Sequence, residues 1–243
     1  MNHLHFVDKY GSFTMDKPEN VSYLYFPLAS ETGLKSSLTP NLGGDAKIDQ
    51  ETFLLEPVSA ENLHSNRGVR NFWLVDEDGQ AFSVSGASAR QEADRFTPAQ
   101  DDSRLTAGLM WQTVERTAQD LGLDTEVTAF CPRQDNVEIL CITVRNQQEQ
   151  PRWLTPIAAV PLYGRSADNI RDHRNVTSML HRIWTTENGV MVRPTMSFDE
   201  RGHRPNHKVY YVEGFGPEGQ KPEAFYPTVE SFCLLYTSDA ADE

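Results

Sequence analysis

Short apolar stretches alternate with polar, turn-forming stretches along the chain. They are rich in Val, Ile, Thr and aromatic residues, and Gly, Pro, Asn and Asp separate them, which is the pattern of β-strands joined by turns. The clearest are Leu105–Val114, Thr125–Cys131, Val137–Val144, Trp153–Tyr163 and Val209–Val212. We expect Val137–Val144 and Trp153–Tyr163 to form a hairpin, because only a polar segment with a turn at NQQEQP separates them.

Helical periodicity is scarce in this sequence. Only Ser88–Asp94 and Glu115–Leu121 tolerate a helical interpretation, and each is expected to form a turn at most. The 14 prolines oppose long helices, because each removes a backbone donor and clashes with the preceding turn. We therefore predict one all-β domain, a large antiparallel β-sandwich with few short helices, over residues 10–232. Residues 1–9 are expected to be a flexible segment.

The last eleven residues, Cys233–Glu243, differ in character from the rest of the chain. Their sequence, CLLYTSDAADE, resembles the translation of a transposon-type sequencing adapter. Tags and scars of this kind are excluded from fold reasoning. The alternative is a genuine strand followed by an acidic tail. On the adapter interpretation, we expect the natural protein to continue beyond Phe232.

Composition and charge narrow the range of functions. A hydrophobic content of 38% with 10% aromatic residues is typical of a folded globular protein. The net charge of −13 repels a phosphate backbone, so nucleic acid is not an expected partner. The start, Met1–Phe13, has no apolar stretch of signal-peptide length, and no run of about 18 apolar residues occurs. We therefore expect a cytoplasmic protein that does not contact membranes.

The three cysteines are expected to be reduced. Their number is odd and their spacing does not fit a CxxC metal motif. Cys131 and Cys141 lie in apolar, strand-like stretches, which predicts that both are packing residues rather than nucleophiles.

Charged residues are densest in Tyr163–Ile183. Arginine side chains there supply planar forks for hydrogen bonds to hydroxyls, carboxylates or phosphate, and neighbouring carboxylates can hold them in place. This favours a sugar or phosphate site. The alternative is a solvated loop whose charges only pair with one another. The residues concerned are Arg165, Asp168, Arg171, Asp172, His173, Arg174, His181 and Arg182.

A second polar cluster lies in Asn62–Trp73, where Arg67 and Arg70 precede the aromatic pair Phe72 and Trp73. Arginines beside aromatic rings suit a carbohydrate, because a sugar stacks on a ring while its hydroxyls bond to charged groups. Strand alternation places the two aromatic residues on opposite faces, so at least one is expected in the core.

A third cluster, in Pro194–Lys208, contains Asp199, Glu200, His203 and His207. Its spacing does not match a metal motif, and we predict no metal site. Adjacent carboxylates point apart on a strand, so these two acids do not form a facing glycosidase pair. Separately, the paired glycines of Pro40–Asp45 predict a tight turn that allows a close backbone approach.

Four long segments together resemble the opening domain of glycoside hydrolase family 94 proteins, which include cellobiose phosphorylases and 1,2-β-oligoglucan phosphorylases. The segments are Tyr23–Asp45, Thr52–Trp73, Val160–Ile183 and Pro194–His203. The resemblance implies a supersandwich of the galactose mutarotase type, followed by a helical linker and an (α/α)6-barrel that carries the catalytic Asp. Only the sandwich is expected in this chain, so we assign it no catalytic residue.

The resemblance also implies an activity. In this family a general-acid Asp protonates the glycosidic oxygen while inorganic phosphate attacks the anomeric carbon with inversion, releasing α-glucose 1-phosphate. Phosphate is a co-substrate, and neither a metal nor an organic cofactor is required. The implied partners are a β-glucan oligosaccharide or disaccharide and a second copy of the full enzyme, because these enzymes are dimeric.

Four substrate-binding residues follow from the resemblance. Family members place a Gln-Arg-Asn stretch near the sugar, and Asp172–Asn175 is similar to it: His173 stands in place of Gln, whereas Arg174 and Asn175 match directly. Asn41 lies in a glycine turn that resembles one near the partner subunit's cleft. Two other hypotheses stay open, namely a free-standing carbohydrate-binding sandwich and a purely structural or dimerisation sandwich.

Overall fold

The structure is a computed structural model of the chain. It describes residues 4–21, 24–60, 62, 66, 69–170, 174–199 and 202–231. The predicted adapter segment, residues 233–243, therefore lies outside the described residues. The chain forms two compact units: unit 1 comprises Met1–Asp49 and Leu55–Pro161, and unit 2 comprises Gln50–Leu54 and Leu162–Glu243. The single predicted domain, residues 10–232, spans both.

Most regular structure is β-strand. The strands are β1 (Leu4–Phe6), β2 (Phe13–Asp16), β3 (Phe26–Ala29), β4 (Lys35–Leu38), β5 (Ala46–Asp49), β6 (Thr52–Phe53), β7 (Asn71–Asp76), β8 (Ala81–Ser83), β9 (Asp102–Gly108), β10 (Trp111–Ala118), β11 (Leu123–Phe130), β12 (Ile139–Asn146), β13 (Leu154–Ala159), β14 (His181–Thr185), β15 (Gly189–Pro194), β16 (Met196–Asp199), β17 (Gly202–Pro205) and β18 (Tyr210–Glu213). The α-helices are α1 (Ala89–Asp94) and α2 (Arg174–Met179), and short 3-10 segments occur at Pro18–Asn20, Gln119–Leu121 and Ala167–Ile170.

A six-stranded antiparallel sheet dominates unit 1, in the order β1-β2-β9-β10-β11-β12. Its central strands show the two-residue period of a sheet with one buried face. On β11, for example, Leu123, Thr125, Val127 and Ala129 are buried, and the residues between them are half-buried. This alternation fixes the register, because a shift by one residue would turn the apolar set towards solvent.

The main core of unit 1 lies between this sheet and smaller sheets. Strands β3, β4 and β5 pair in sequence order, and β7 lies between β13 and β8. Apolar side chains from all three sheets form one cluster, and their removal from water is the main stabilising term. The buried members are Leu28, Leu38, Leu42, Leu74, Phe82, Val84, Ala118, Leu121, Leu123, Val127 and Ala129. The packed sheets confirm the predicted all-β sandwich.

The predicted hairpin between Val137–Val144 and Trp153–Tyr163 is wrong. Strand β12 pairs with β11, whereas β13 pairs with β7 in another sheet. Arg152 anchors the segment that connects β12 to β13. Its guanidinium donates to the Leu121 carbonyl and to Asp76 Oδ2. The segment therefore crosses the sandwich instead of reversing along one sheet.

Several shorter elements also differ from expectation. The predicted strand Leu105–Val114 is broken, since β9 and β10 are separated by a turn in which Met110 has a φ of 62°. The predicted flexible start contains β1, which pairs with β2. The helical segment after Ser88 is longer than one turn, because Ser88 and Gln91 form a reciprocal capping box.

The other predicted helical segment, Glu115–Leu121, is instead the end of β10 followed by a 3-10 turn. Of the two cysteines predicted to pack, Cys131 is half-buried against the core, as expected. Cys141 is exposed on β12, so that part of the prediction is wrong. Residue alternation explains the difference, because its neighbours Leu140 and Ile142 are the residues that pack against the core.

Unit 2 contains the antiparallel sheet β14-β15-β18 and the hairpin β16-β17. On the inner face of the three-stranded sheet, Val192 and Tyr210 are buried and directly paired. Strand β6 supplies the buried Phe53, which forms an isolated antiparallel bridge with Arg165. Within the described residues, no helix is long and apolar enough to cross a membrane.

Candidate functional site

The three described members of the predicted sugar-binding set, Asn41, Arg174 and Asn175, belong to two different units. His173 lies outside the described residues. Arg174 is the first residue of α2, and Asn175 follows it with an exposed side chain. Asn41 belongs to unit 1, whereas the other three belong to unit 2. Their contact with a sugar stays a prediction.

Buried polar residues fix the chain just before residues 171–173. Ser166 and Asn169 are 3% and 2% exposed, and both side chains donate to the Phe198 carbonyl, at 3.3 and 3.1 Å. The Ser166 hydroxyl also lies 3.1 Å from Asn169 Oδ1. Because buried polar groups are costly to leave unpaired, these bonds hold the 3-10 segment Ala167–Ile170 against β16.

Arg165 fixes the chain just after residues 171–173. Its Nη1 lies 3.0 Å from the buried Thr177 hydroxyl and 3.1 Å from the Ser178 hydroxyl, both on α2. The guanidinium also covers the Tyr163 ring, with Cζ 4.1 Å from the ring centroid. Arg165 is therefore a positioning residue: it holds the helix that carries Arg174 and Asn175.

His181, at the start of β14, is a half-buried residue of the same charged segment. Burial, and to a smaller extent the positive charge of Arg165, together lower its pKa to about 4. Its Nε2 is buried without a hydrogen-bond partner among the residues that the structure describes. The imidazole is therefore neutral at pH 7 and adds no charge to this site.

In the second predicted cluster, Arg70 stabilises the fold through buried contacts. This side chain is 2% exposed and forms a buried ion pair with Glu138, with Nε 2.5 Å from Oε1. Its two terminal nitrogens also donate to the carbonyls of Leu42, Gly43, Gly44 and Asp45. The guanidinium thus organises the predicted glycine turn instead of facing solvent. Of the aromatic pair, Phe72 packs against the core, as expected for at least one of them.

The glycine turn itself has the close approach that its sequence predicts. Gly44 has a φ of +106°, and a Cβ added there would lie 2.0 Å from the Ser37 carbonyl oxygen. Only glycine fits such a position. Asn41 is buried in the same turn, and its amide donates to the Ser85 and Gly86 carbonyls at 2.8 and 3.2 Å. Its observed contacts hold the turn to the residues that follow β8.

The third predicted cluster forms the β16–β17 hairpin and a polar cleft beside it. His203 is exposed and its ring lies 4.7 Å from that of Phe198. The cleft has a volume of about 330 Å³ and is lined in part by Glu51, Thr52, Arg204 and Lys208. Arg204 pairs with Glu51, and Lys208 donates to Thr52. No group of three or more potential metal ligands occurs among the described residues.

Several residues that shape the site carried no recognisable signal in the sequence. Thr177 and Asn169 are ordinary polar residues whose importance comes from burial, and Glu51 and Thr52 are distant in sequence from the cleft that they line. In the sequence, the clearest indication of these contacts is Arg165, because an arginine in a short polar loop needs several hydrogen-bond acceptors.

The antiparallel sheets packed around the core of unit 1, with further antiparallel sheets in unit 2, define an all-β sandwich protein. The sequence identifies the family within this class. The model of the family described as glycosyl hydrolase 94, supersandwich domain, matches residues 46–220. The match covers more than half of the chain, and the protein belongs to this family. A search of curated proteins found no matching relative.

Proposed function

We propose that this chain is the sandwich part of an inverting phosphorylase that acts in the cytoplasm. The enzyme cleaves a β-glucoside with inorganic phosphate and releases α-glucose 1-phosphate and a shortened acceptor. The observation that carries the proposal is the family match over residues 46–220, together with the sandwich fold. Cellobiose, cellodextrins, laminaribiose and 1,2-β-glucans are all candidate substrates.

In this proposal the general-acid Asp and the phosphate site belong to a helical barrel outside this chain. The sandwich supplies a sugar-facing loop, and the chain alone does not turn over substrate. Two features support the loop assignment. Residues 171–173 lie between two segments held by Asn169 and Arg165, and Asn175 is exposed next to them. Such anchoring holds the exposed Asn175 in a fixed arrangement, which reduces the entropy lost when it binds a ligand.

The first test is the gene beyond Phe232. We expect a helical linker and a barrel with an acidic catalytic motif, and the full product should release α-glucose 1-phosphate from at least one of the four β-glucosides only when phosphate is present. Release of free glucose without phosphate would instead indicate hydrolysis. A stop codon immediately after Phe232 would overturn the proposal.

The second test addresses the loop. In the full enzyme, Arg174→Ala and Asn175→Ala should each raise KM for the disaccharide about tenfold with kcat nearly unchanged, because each removes binding that the ground and transition states share. Arg145→Ala is the matched control, since Arg145 is an exposed arginine on β12 in unit 1. A change in assembly without a change in KM would favour a dimerisation role.

A further inference from the structure

The outer face of the sheet β14-β15-β18 carries a row of two exposed aromatic residues with a half-buried methionine between them, which we call the aromatic row. Trp184 pairs with Met191, and Met191 pairs with Tyr211, so the three side chains lie side by side on one face. Trp184 and Tyr211 are 39% and 40% exposed. The row spans two interstrand spacings, about 10 Å. This is wide enough for a sugar ring to lie flat on it.

Two arginines form the next row on the same face. Arg182 and Arg193 are directly paired across β14 and β15, and both are exposed. Each is two residues from a member of the aromatic row, Arg182 from Trp184 and Arg193 from Met191, which places all four on one face. Neither arginine forms an ion pair with any residue that the structure describes.

Like charges directly opposite on neighbouring strands destabilise a sheet. The chain has a net charge of −13 and many carboxylates, but no carboxylate among the described residues forms an ion pair with these two arginines. The Cβ atoms of directly opposed residues on neighbouring strands lie about 5 Å apart. At this separation, the guanidinium groups of Arg182 and Arg193 can share one oxyanion through charge-assisted hydrogen bonds. Binding of an oxyanion would remove the repulsion.

A carboxylate lies on the opposite side of the aromatic row. Glu213 is exposed and two residues beyond Tyr211, so it faces the same way. The face therefore presents positive charge, then aromatic surface, then negative charge. A ligand with an oxyanion at one end and hydroxyl groups at the other would bind in one orientation, with its hydroxyls donating to Glu213.

We propose that this face, defined by Arg182, Arg193, Trp184, Tyr211 and Glu213, binds a phosphorylated monosaccharide. The phosphate lies between the two arginines, and an apolar face of the sugar ring stacks on the aromatic row. Residues 163–179, which include the predicted sugar-binding loop, take no part in it. The inference does not depend on the proposed phosphorylase activity.

Titration of the full chain with four probes tests this site at pH 7 and low salt. The probes are α-glucose 1-phosphate, glucose 6-phosphate, inorganic phosphate and glucose, followed by calorimetry. Tryptophan fluorescence provides a second signal, because Trp184 lies in the face. We expect at least one sugar phosphate to bind more tightly than either phosphate or glucose. Its affinity should fall as salt is raised.

Variants separate the two parts of the face. Arg182→Gln with Arg193→Gln should weaken binding of the sugar phosphate by at least about tenfold, because two charge-assisted contacts are lost. Trp184→Ala should weaken sugar phosphate binding but leave inorganic phosphate unchanged. The matched control is Arg133→Gln with Arg145→Gln, which removes the same charge from exposed positions in unit 1.

Three results would overturn the inference. They are equal affinity for glucose and its phosphates, equal effects of the two double variants, and binding of inorganic phosphate alone. Circular dichroism of each variant checks that the fold is kept. Failure here leaves the phosphorylase assay unaffected, and a full enzyme without phosphorylase activity leaves these titrations valid, so the two proposals are tested separately.

Discussion

The guanidinium of Arg70 lies against the carboxylate of Glu138, with Nε 2.5 Å from Oε1 and both side chains almost fully buried. The Ser36 hydroxyl joins the pair, 2.9 Å from Arg70 Nη2 and 2.5 Å from Glu138 Oε2. Since Arg70 also binds the carbonyls of the glycine turn, one side chain connects β4, the turn and the residue that precedes β12. A buried pair of this kind is costly to break from one side.

Removal of the Arg70 guanidinium should therefore destabilise the protein strongly. We expect Arg70→Met to lower the free energy of unfolding by about 3–5 kcal/mol, because Glu138 is left charged and unpaired in the interior. Urea denaturation followed by circular dichroism measures the change. The double variant with Glu138→Met should recover part of the loss, because it removes the orphaned charge as well.

Arg133→Gln is the control for this prediction. Arg133 pairs with Glu31 at 2.6 Å, but the two side chains are 76% and 60% exposed. An exposed pair contributes only about 0–1 kcal/mol. If Arg70→Met were no more destabilising than Arg133→Gln, the buried pair would not be stabilising the turn.

The partner of Arg70 could not be predicted from the sequence. In the sequence, Arg70 stands close to aromatic residues, a pattern that suits a carbohydrate. Its true partner, Glu138, is 68 positions away and becomes its neighbour only through the sandwich. Local spacing cannot reveal a partner at that separation. In contrast, Gly44 was predicted correctly, because the demand for a tight turn is local and only glycine satisfies it.

A similar division holds for the strands. The alternation along β11 is a local pattern and predicts both the strand and its buried face. The partner of β13 is not a local property. Adjacency in sequence predicts that β13 pairs with β12, whereas in the structure it pairs with β7. The turn between β9 and β10 consists of Leu109 and Met110, which are apolar residues without turn chemistry, so it was missed.

The cysteines should differ sharply in reactivity. Burial and, to a smaller extent, the charge of Glu138 raise the pKa of the Cys131 thiol to about 12, against a smaller opposite effect of Arg70. At neutral pH its reactive thiolate is therefore scarce. Cys141 is exposed on β12. We expect iodoacetamide at pH 7 to modify Cys141 rapidly and Cys131 only after unfolding in urea, as measured by peptide mass spectrometry.

Cys233→Ser serves as the background for this experiment, so that only the two described cysteines report. Adding Cys141→Ser should abolish the rapid reaction and leave the slow one unchanged. Rapid modification of Cys131 in the folded protein would contradict the structure, because it would require an open path to a half-buried thiol.

His181 makes stability depend on pH in the acidic range. Its pKa is about 4 in the folded protein, because of burial and the nearby Arg165 charge, and about 6.5 in the unfolded chain. Between these values the unfolded state binds more protons, so the free energy of unfolding rises with pH. The stabilisation is complete above about pH 6.5 and is lost as the pH falls towards about 4.

This contribution is measured by comparing thermal melts at several pH values for the protein and for His181→Phe, which keeps a ring but cannot titrate. The variant should lose less stability between about pH 6.5 and 4 than the parent protein. His203→Phe is the control, since His203 is exposed. Identical pH profiles for the protein and His181→Phe would show that the imidazole is not buried as the structure indicates.

The last prediction concerns the bonds that hold α2. Arg165→Met removes the hydrogen bonds to Thr177 and Ser178 and the charge above the Tyr163 ring. Each lost bond should cost about 1 kcal/mol, so the amides of α2 should exchange with deuterium at least about tenfold faster. Arg165→Lys keeps the charge but not the planar fork, and should restore only part of the protection. Arg145→Met is the matched control, and faster exchange in α2 for this control would show that the effect is not specific to Arg165.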